Sequence, residues 1–133
     1  MKTFEYDYRY LQAGQEELES YLLSKEVFWP VDIRPMAGEP GYPKLTMGGL
    51  LISRARLNAY TKTPDQVEKL DTLLSAMDLV RAKWRVNWEV KAQHNFSLRL
   101  RMWRDFIEEY RHDPHDNADR YSYEVRLRTM LTL

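Results

Sequence analysis

Apolar residues recur at three- and four-residue spacings along four stretches of the chain, and turn-forming residues separate the stretches. That pattern predicts an all-α protein. In the first stretch Phe4, Tyr8, Leu11, Leu18 and Leu22 share one helical face, with Glu16, Glu17 and Glu19 largely off it, which predicts a helix over residues 8–24. Gly14 weakens this helix, because a mid-helix glycine costs about 1 kcal/mol relative to alanine. In the second stretch Leu50, Leu51, Leu57 and Tyr60 form the apolar side and Thr46 suits an N-cap, so the helix runs over 46–60. Ala55 and Ala59 permit close helix contact on another side. Thr63-Pro64-Asp65 then marks a stop and a restart, with Pro64 at the first helical position.

Residues 65–111 contain neither proline nor glycine. A broad stripe from Leu70 through Met77, Trp84, Trp88, Met102 and Phe106 to Tyr110 stays on one side at helical spacing. As one helix these residues would span about 70 Å. The alternative is two helices broken near Asn95, where the stripe is weakest; the lack of a strong breaker favours a continuous or kinked spine. His112-Asp113-Pro114 ends it, and Asp116 or Asn117 can cap a last helix over 118–131, with Val125, Leu127, Met130 and Leu131 as its apolar content. The sequence thus predicts a single four-helix bundle-like domain over 1–133 with an unusually long third helix (about 65–111).

A proline-rich loop (30–45) interrupts the pattern. Pro30, Pro35, Pro40 and Pro43, with Gly38 and Gly41, exclude a helix. The flanking Phe28, Trp29, Ile33 and Tyr42 predict a loop packed on the body, and a short hairpin pairing 27–33 with 44–47 is an option.

These lengths leave a gap. The helix over 46–60 covers only the first third of the spine, and the last helix the final third. The middle, with Trp84, Trp88 and Phe96 plus Val86 and Val90, lacks an intrachain cover. Uncovered aromatic surface marks an interface. Trp84, Trp88, Val90 and Phe96 are therefore the expected interface of a homodimer. Arg81, Lys91, Asn95 and Arg99 project onto the same stripe. They either snorkel to solvent, line a charged pocket for an anionic ligand or a partner's carboxylates, or form a buried ion pair with the acidic first helix or with Glu89 of a second copy.

Composition narrows the function classes. Of 133 residues 44% are apolar and 30% charged, with 20 basic and 20 acidic side chains, so the chain is neither disordered nor membrane-spanning. With no cysteine, thiolate nucleophiles and cysteine metal sites are excluded, and the chain reads as soluble and cytoplasmic. Zero net charge speaks against a dedicated nucleic-acid binder. The charge is uneven, however. Arg81, Lys83, Arg85, Arg99, Arg101 and Arg104 interleave with Trp84, Trp88 and Trp103, in the manner of arginine-aromatic nucleic-acid surfaces. Arg85–Glu89, Arg101–Asp105 and Arg104–Glu108 are i,i+4 pairs that supply local partners instead.

Two further clusters carry candidate chemistry. Glu109 and His112 stand at Glu-x-x-His spacing, and His115 and Asp116 follow, all ligand types for zinc, manganese or iron. A di-metal bundle needs a second such pair, which the sequence lacks. A solvated helix–helix loop whose Asp and Asn residues cap the next helix is the favoured reading of the cluster. Lys44-Leu45-Thr46-Met47-Gly48-Gly49 could form an anion site at a helix start, or simply an N-cap. No nucleophile with a base and an orienting group is apparent, and no cofactor is implied. The leading expectation is a non-enzymatic helical adaptor or assembly protein that self-associates and presents the loop or the basic face to a protein partner. The rivals are a nucleic-acid accessory protein and a metal- or anion-dependent enzyme.

Overall fold

The computed structural model describes residues 3–112, with side chains through Glu109. Among the described residues four helices carry the fold and no strand forms: α1 (Phe4–Leu23), α2 (Met47–Ala59), α3 (Pro64–Lys83) and α4 (Arg85–His112). The helix expected over 118–131 lies outside the described residues.

Three of the starts are written locally. Thr3 Oγ1 accepts the Tyr6 N–H at 3.2 Å, so α1 begins four residues before the apolar spacing predicts. Its first turn holds Glu5 and Asp7, whose charge favours the amino end of the helix dipole. Thr46 caps α2, as its position in the sequence predicts, by accepting the Gly49 N–H at 2.9 Å. Thr63 and Gln66 cap α3 reciprocally, with Pro64 at the first turn.

α1 and α2 lie antiparallel, since Asp7 meets Arg56 and Gly14 meets Leu50. Gly14 is what permits the approach. A Cβ there would stand 2.6 Å from Leu50 Cδ2 and 3.1 Å from Leu45 Cδ1. α3 runs parallel to α1, with Lys69 beside Glu5 and Lys83 beside Glu19. The core between them holds Leu11, Leu18, Tyr21, Leu45, Met47, Leu50, Leu57 and Met77, all fully buried.

The expected 65–111 spine is not one helix. It is divided at Trp84, whose φ of −116° and ψ of 42° leave helical space, and α4 rather than the third helix is the longest element. Hydrogen bonds still reach Trp84 from both sides: its N–H donates to Val80 O at 2.9 Å and its carbonyl accepts from Trp88 N–H at 2.8 Å. The break lies eleven residues before Asn95, where no proline or glycine announces it. Tertiary packing sets it. α3 must follow α1, whereas α4 must cross the end of the α1–α2 pair, and Trp84 is where the direction changes.

The proline-rich segment is a strapped loop. Its ends meet at an isolated antiparallel bridge between Trp29 and Leu45, so the option of a longer hairpin reduces to one bridge. Tyr6 Oη donates to Gly41 O, Tyr42 Oη to Tyr6 O and Tyr10 Oη to Lys44 O. The Tyr6 and Tyr42 rings stack at 4.3 Å. Arg9 binds Glu39 with both carboxylate oxygens 2.6 Å from its Nη2. The loop therefore packs on the body, as its aromatic flanks predict.

Candidate functional site

The polar residues of α4 explain its course. Lys91, Asn95 and Arg99 are one turn apart and face inward, where the end of α1 and the start of α2 lie side by side. Helix ends leave backbone carbonyls and N–H groups without intrahelical partners. The Lys91 ammonium donates to Ser24 O at 2.7 Å, to Glu26 O at 2.6 Å and to Ser24 Oγ at 3.2 Å, just past the carboxyl end of α1. It also lies 4.7 Å from the Tyr21 ring centroid. Asn95 Oδ1 accepts the Gly48 N–H of α2 at 2.9 Å and Arg99 Nε at 3.0 Å. Arg99 Nη2 donates to Thr46 Oγ1 at 3.0 Å. Of the four residues for which the sequence offers a pocket, an ion pair or snorkelling, Lys91, Asn95 and Arg99 meet the helix ends, whereas Arg81 is exposed and lies over Trp88. Lys91 meets carbonyls rather than a carboxylate, and burial lowers its pKa, with Glu26 partly opposing the shift.

The start of α2 is likewise filled from within. Gly48 N–H goes to Asn95, Gly49 N–H to Thr46 Oγ1 and Leu50 N–H to Thr46 O. Tyr10 and Tyr21 lie against this junction, and burial raises both phenols, Tyr21 to about 12.

The expected interface residues separate. Trp88 is only 4% exposed and belongs to the chain's own core, beneath the Arg81 guanidinium at 5.1 Å from its ring. The redirection at Trp84 is the reason, since it swings Trp88 under the α1–α2 end rather than leaving it on a bare spine. Trp84 is half-buried and packs against the core, with Lys83 over its ring at 5.3 Å. Phe96 is half-buried, whereas Val90 is 49% exposed. Beside Val90 the outer face of the α3–α4 elbow also exposes Leu79 (73%) and Val86 (71%). Val86 and Val90 lie one turn apart on α4 and form a short apolar strip there, with Leu79 exposed on α3 before the bend. Next to it lies an open groove of about 430 Å³ lined by Arg81, Trp88, Glu89, Ala92, Gln93 and Phe96.

The basic residues are largely engaged. Arg81 covers Trp88, Lys83 approaches Glu19 at 3.9 Å, Arg85 binds Glu89 at 3.3 Å and Arg99 holds the α2 cap. Arg101 and Arg104 are exposed on α4. Of the metal candidates, Glu109 is exposed near the end of α4, the side chain of His112 is not described, and His115 and Asp116 lie outside the described residues. Among the described residues no group of three histidines or acids gathers into a metal-sized cluster. No described helix is long and apolar enough to cross a membrane.

Sequence reasoning missed two features. One is a buried clasp in which Asp7 accepts from Arg56 Nε (3.2 Å) and Nη2 (3.0 Å) and from Tyr60 Oη (2.8 Å), tying α1 to α2. Nothing in the spacing of Asp7 and Arg56 signals it. The other is the outward row of the strapped loop, Asp32, Arg34 and Met36, opposite Val31 and Ile33, which pack on the core. Its signal was the alternation of residues 31–34 with period two. The fold and its surfaces define an all-helical bundle-like protein. In comparisons with known proteins, no family model, no curated protein and no solved structure matches the chain.

Proposed function

We propose that this is a non-enzymatic helical assembly protein, an adaptor that self-associates through the outer face of its α3–α4 elbow and engages a protein partner. The observation that carries the reading is the exposed apolar pair Val86 and Val90 on one face of α4, with Leu79 exposed on α3 before the bend and Phe96 in the nearby groove. An isolated exposed apolar side chain needs no explanation, but several exposed together next to an aromatic groove mark a recognition surface. The reading refines the expected interface. Val90 and Phe96 remain in it, Val86 and Leu79 join it, and Trp88 becomes the floor that supports it.

The polar groups of α4 support the same reading. Lys91 and Asn95 hydrogen-bond to helix ends and Arg99 to the α2 cap residue Thr46, which supports a structural role for them. Sedimentation velocity over a wide concentration range tests the proposal. The parent chain is expected to show reversible association. Val86→Glu removes an apolar side chain worth roughly 1.5 kcal/mol on burial, so it is expected to weaken association about tenfold with helicity unchanged. A chain that stays monomeric throughout refutes self-association.

A further inference from the structure

Val31 and Ile33 pack against the core, which turns Asp32 and Arg34 outward along an extended stretch. Met36 follows at the next outward position and is 65% exposed. Its backbone is fixed on both sides. The Met36 N–H donates to Glu39 Oε1 at 2.8 Å, and the Glu39 N–H donates back to Met36 O at 3.0 Å. Gly38, at φ 82°, makes this turn possible. Arg9 anchors Glu39 to α1 in turn. The loop is thus a pre-ordered row that reads acid, base, apolar, and pre-ordering lowers the entropic cost of binding.

The groove on the elbow reads base, acid, apolar in the same order. Arg81 comes first, Glu89 next, then Ala92 and Phe96. The row from 32 to 36 spans about 13 Å. The Arg81 guanidinium lies over Trp88, and the helix from 88 to 96 advances about 12 Å. The Arg85–Glu89 pair that Arg34 would displace is exposed at both ends, and such pairs contribute little. A methionine thioether also suits an aromatic wall. The chain cannot satisfy this match alone. Its loop turn is tied at Arg9, whereas the groove adjoins Lys91 at Ser24, about 22 Å farther along α1.

We propose that the Asp32–Arg34–Met36 row of one copy seats in the Arg81–Glu89–Phe96 groove of a second copy, aspartate to Arg81, arginine to Glu89 and methionine against Ala92 and Phe96. The inference rests on the self-association reading and specifies its geometry. Joining two different surfaces makes the contact head-to-tail, so copies close into a ring or extend as an open chain.

Charge exchange tests it on the full-length chain. Arg34→Glu and Glu89→Arg each place like charges in the contact, and each is expected to weaken association about tenfold. Mixing the two variants restores opposite charges at every junction, as does the double variant R34E/E89R, and both are expected to regain most of the parent affinity. Met36→Glu is expected to weaken association without rescue by E89R. Circular dichroism and thermal melting establish that each variant is folded, and all of these positions are exposed. If the parent associates and Val86→Glu weakens it, while R34E, E89R and M36E change nothing, the row-in-groove geometry is overturned and the elbow strip stands. If mixing R34E with E89R restores nothing, the pairing of 34 with 89 is wrong. If the parent remains monomeric, both readings fall together.

Discussion

Replacing Asn95 by alanine probes the junction on which the architecture depends. The amide oxygen accepts two hydrogen bonds in a fully buried position, from Gly48 N–H and Arg99 Nε. Alanine leaves the Gly48 N–H buried at the start of α2 without an acceptor, a loss of about 1–3 kcal/mol. The lost bond to Arg99 adds about 1 kcal/mol. The sum is about 2–4 kcal/mol. For a chain of this size that lowers Tm by about 10 °C. Asn95→Asp keeps the acceptor beside both a helix amino end and a guanidinium, so it is expected to lose about 1 kcal/mol or less. Urea unfolding followed by far-ultraviolet circular dichroism measures both. If N95A unfolds within about 0.5 kcal/mol of the parent, or if N95D is the worse of the two, α4 does not cap α2 and the account of its course is wrong.

Lys91→Met abandons the carbonyls of Ser24 and Glu26, and a loss of about 1–3 kcal/mol by urea unfolding is expected despite removal of a buried charge. Asp7→Ala strands Arg56 and Tyr60 at the α1–α2 clasp and is expected to cost about 3–5 kcal/mol. Gly14→Ala forces a Cβ against Leu50, so overpacking outweighs the helix-propensity gain and a net loss of about 1 kcal/mol is expected in thermal melts. Burial raises Tyr21 and Tyr60 to about 12 from 10.0, with the Asp7 hydrogen bond adding to the Tyr60 shift. Raised phenols give stability that is complete below pH 10 and is lost as pH climbs through 12. Lys91 has the opposite sign, since its lowered pKa makes stability rise with pH up to 10.5. The phenols prevail above pH 10, so ionisation of Tyr21 and Tyr60 is expected to accompany loss of helix rather than precede it.

The local signals were legible. Thr46 and Pro64 sit at the starts of α2 and α3 because capping and the first-turn preference of proline act within a few residues. The packed state of the proline-rich loop was legible from Trp29 and Tyr42, and the all-helical class from the periodicity. The bend at Trp84 was not, because the chain there has no intrinsic breaker and the cause lies in the ends of α1 and α2, remote in sequence. That one miss displaced the expected interface as well. A straight spine leaves Trp88 bare, whereas the bent one encloses it. Lys91, Asn95 and Arg99 were identifiable as anomalous polar residues on an apolar stripe. Their purpose was not, because helix ends as partners become apparent only once α1 and α2 are placed.

The order of two side chains on α4 fixes where that helix can dock. Lys91 can only give hydrogen bonds, and it rests on a helix terminus that only accepts them. Asn95 turns its oxygen toward a terminus that only gives them. Sliding α4 by one turn, about 5.4 Å, would bring the ammonium onto the Gly48 amide, donor against donor. The crossing thus carries a two-position code, with polarity rather than shape rejecting the neighbouring alignment, and exchanging Lys91 and Asn95 would set donor against donor at Gly48 in the present alignment.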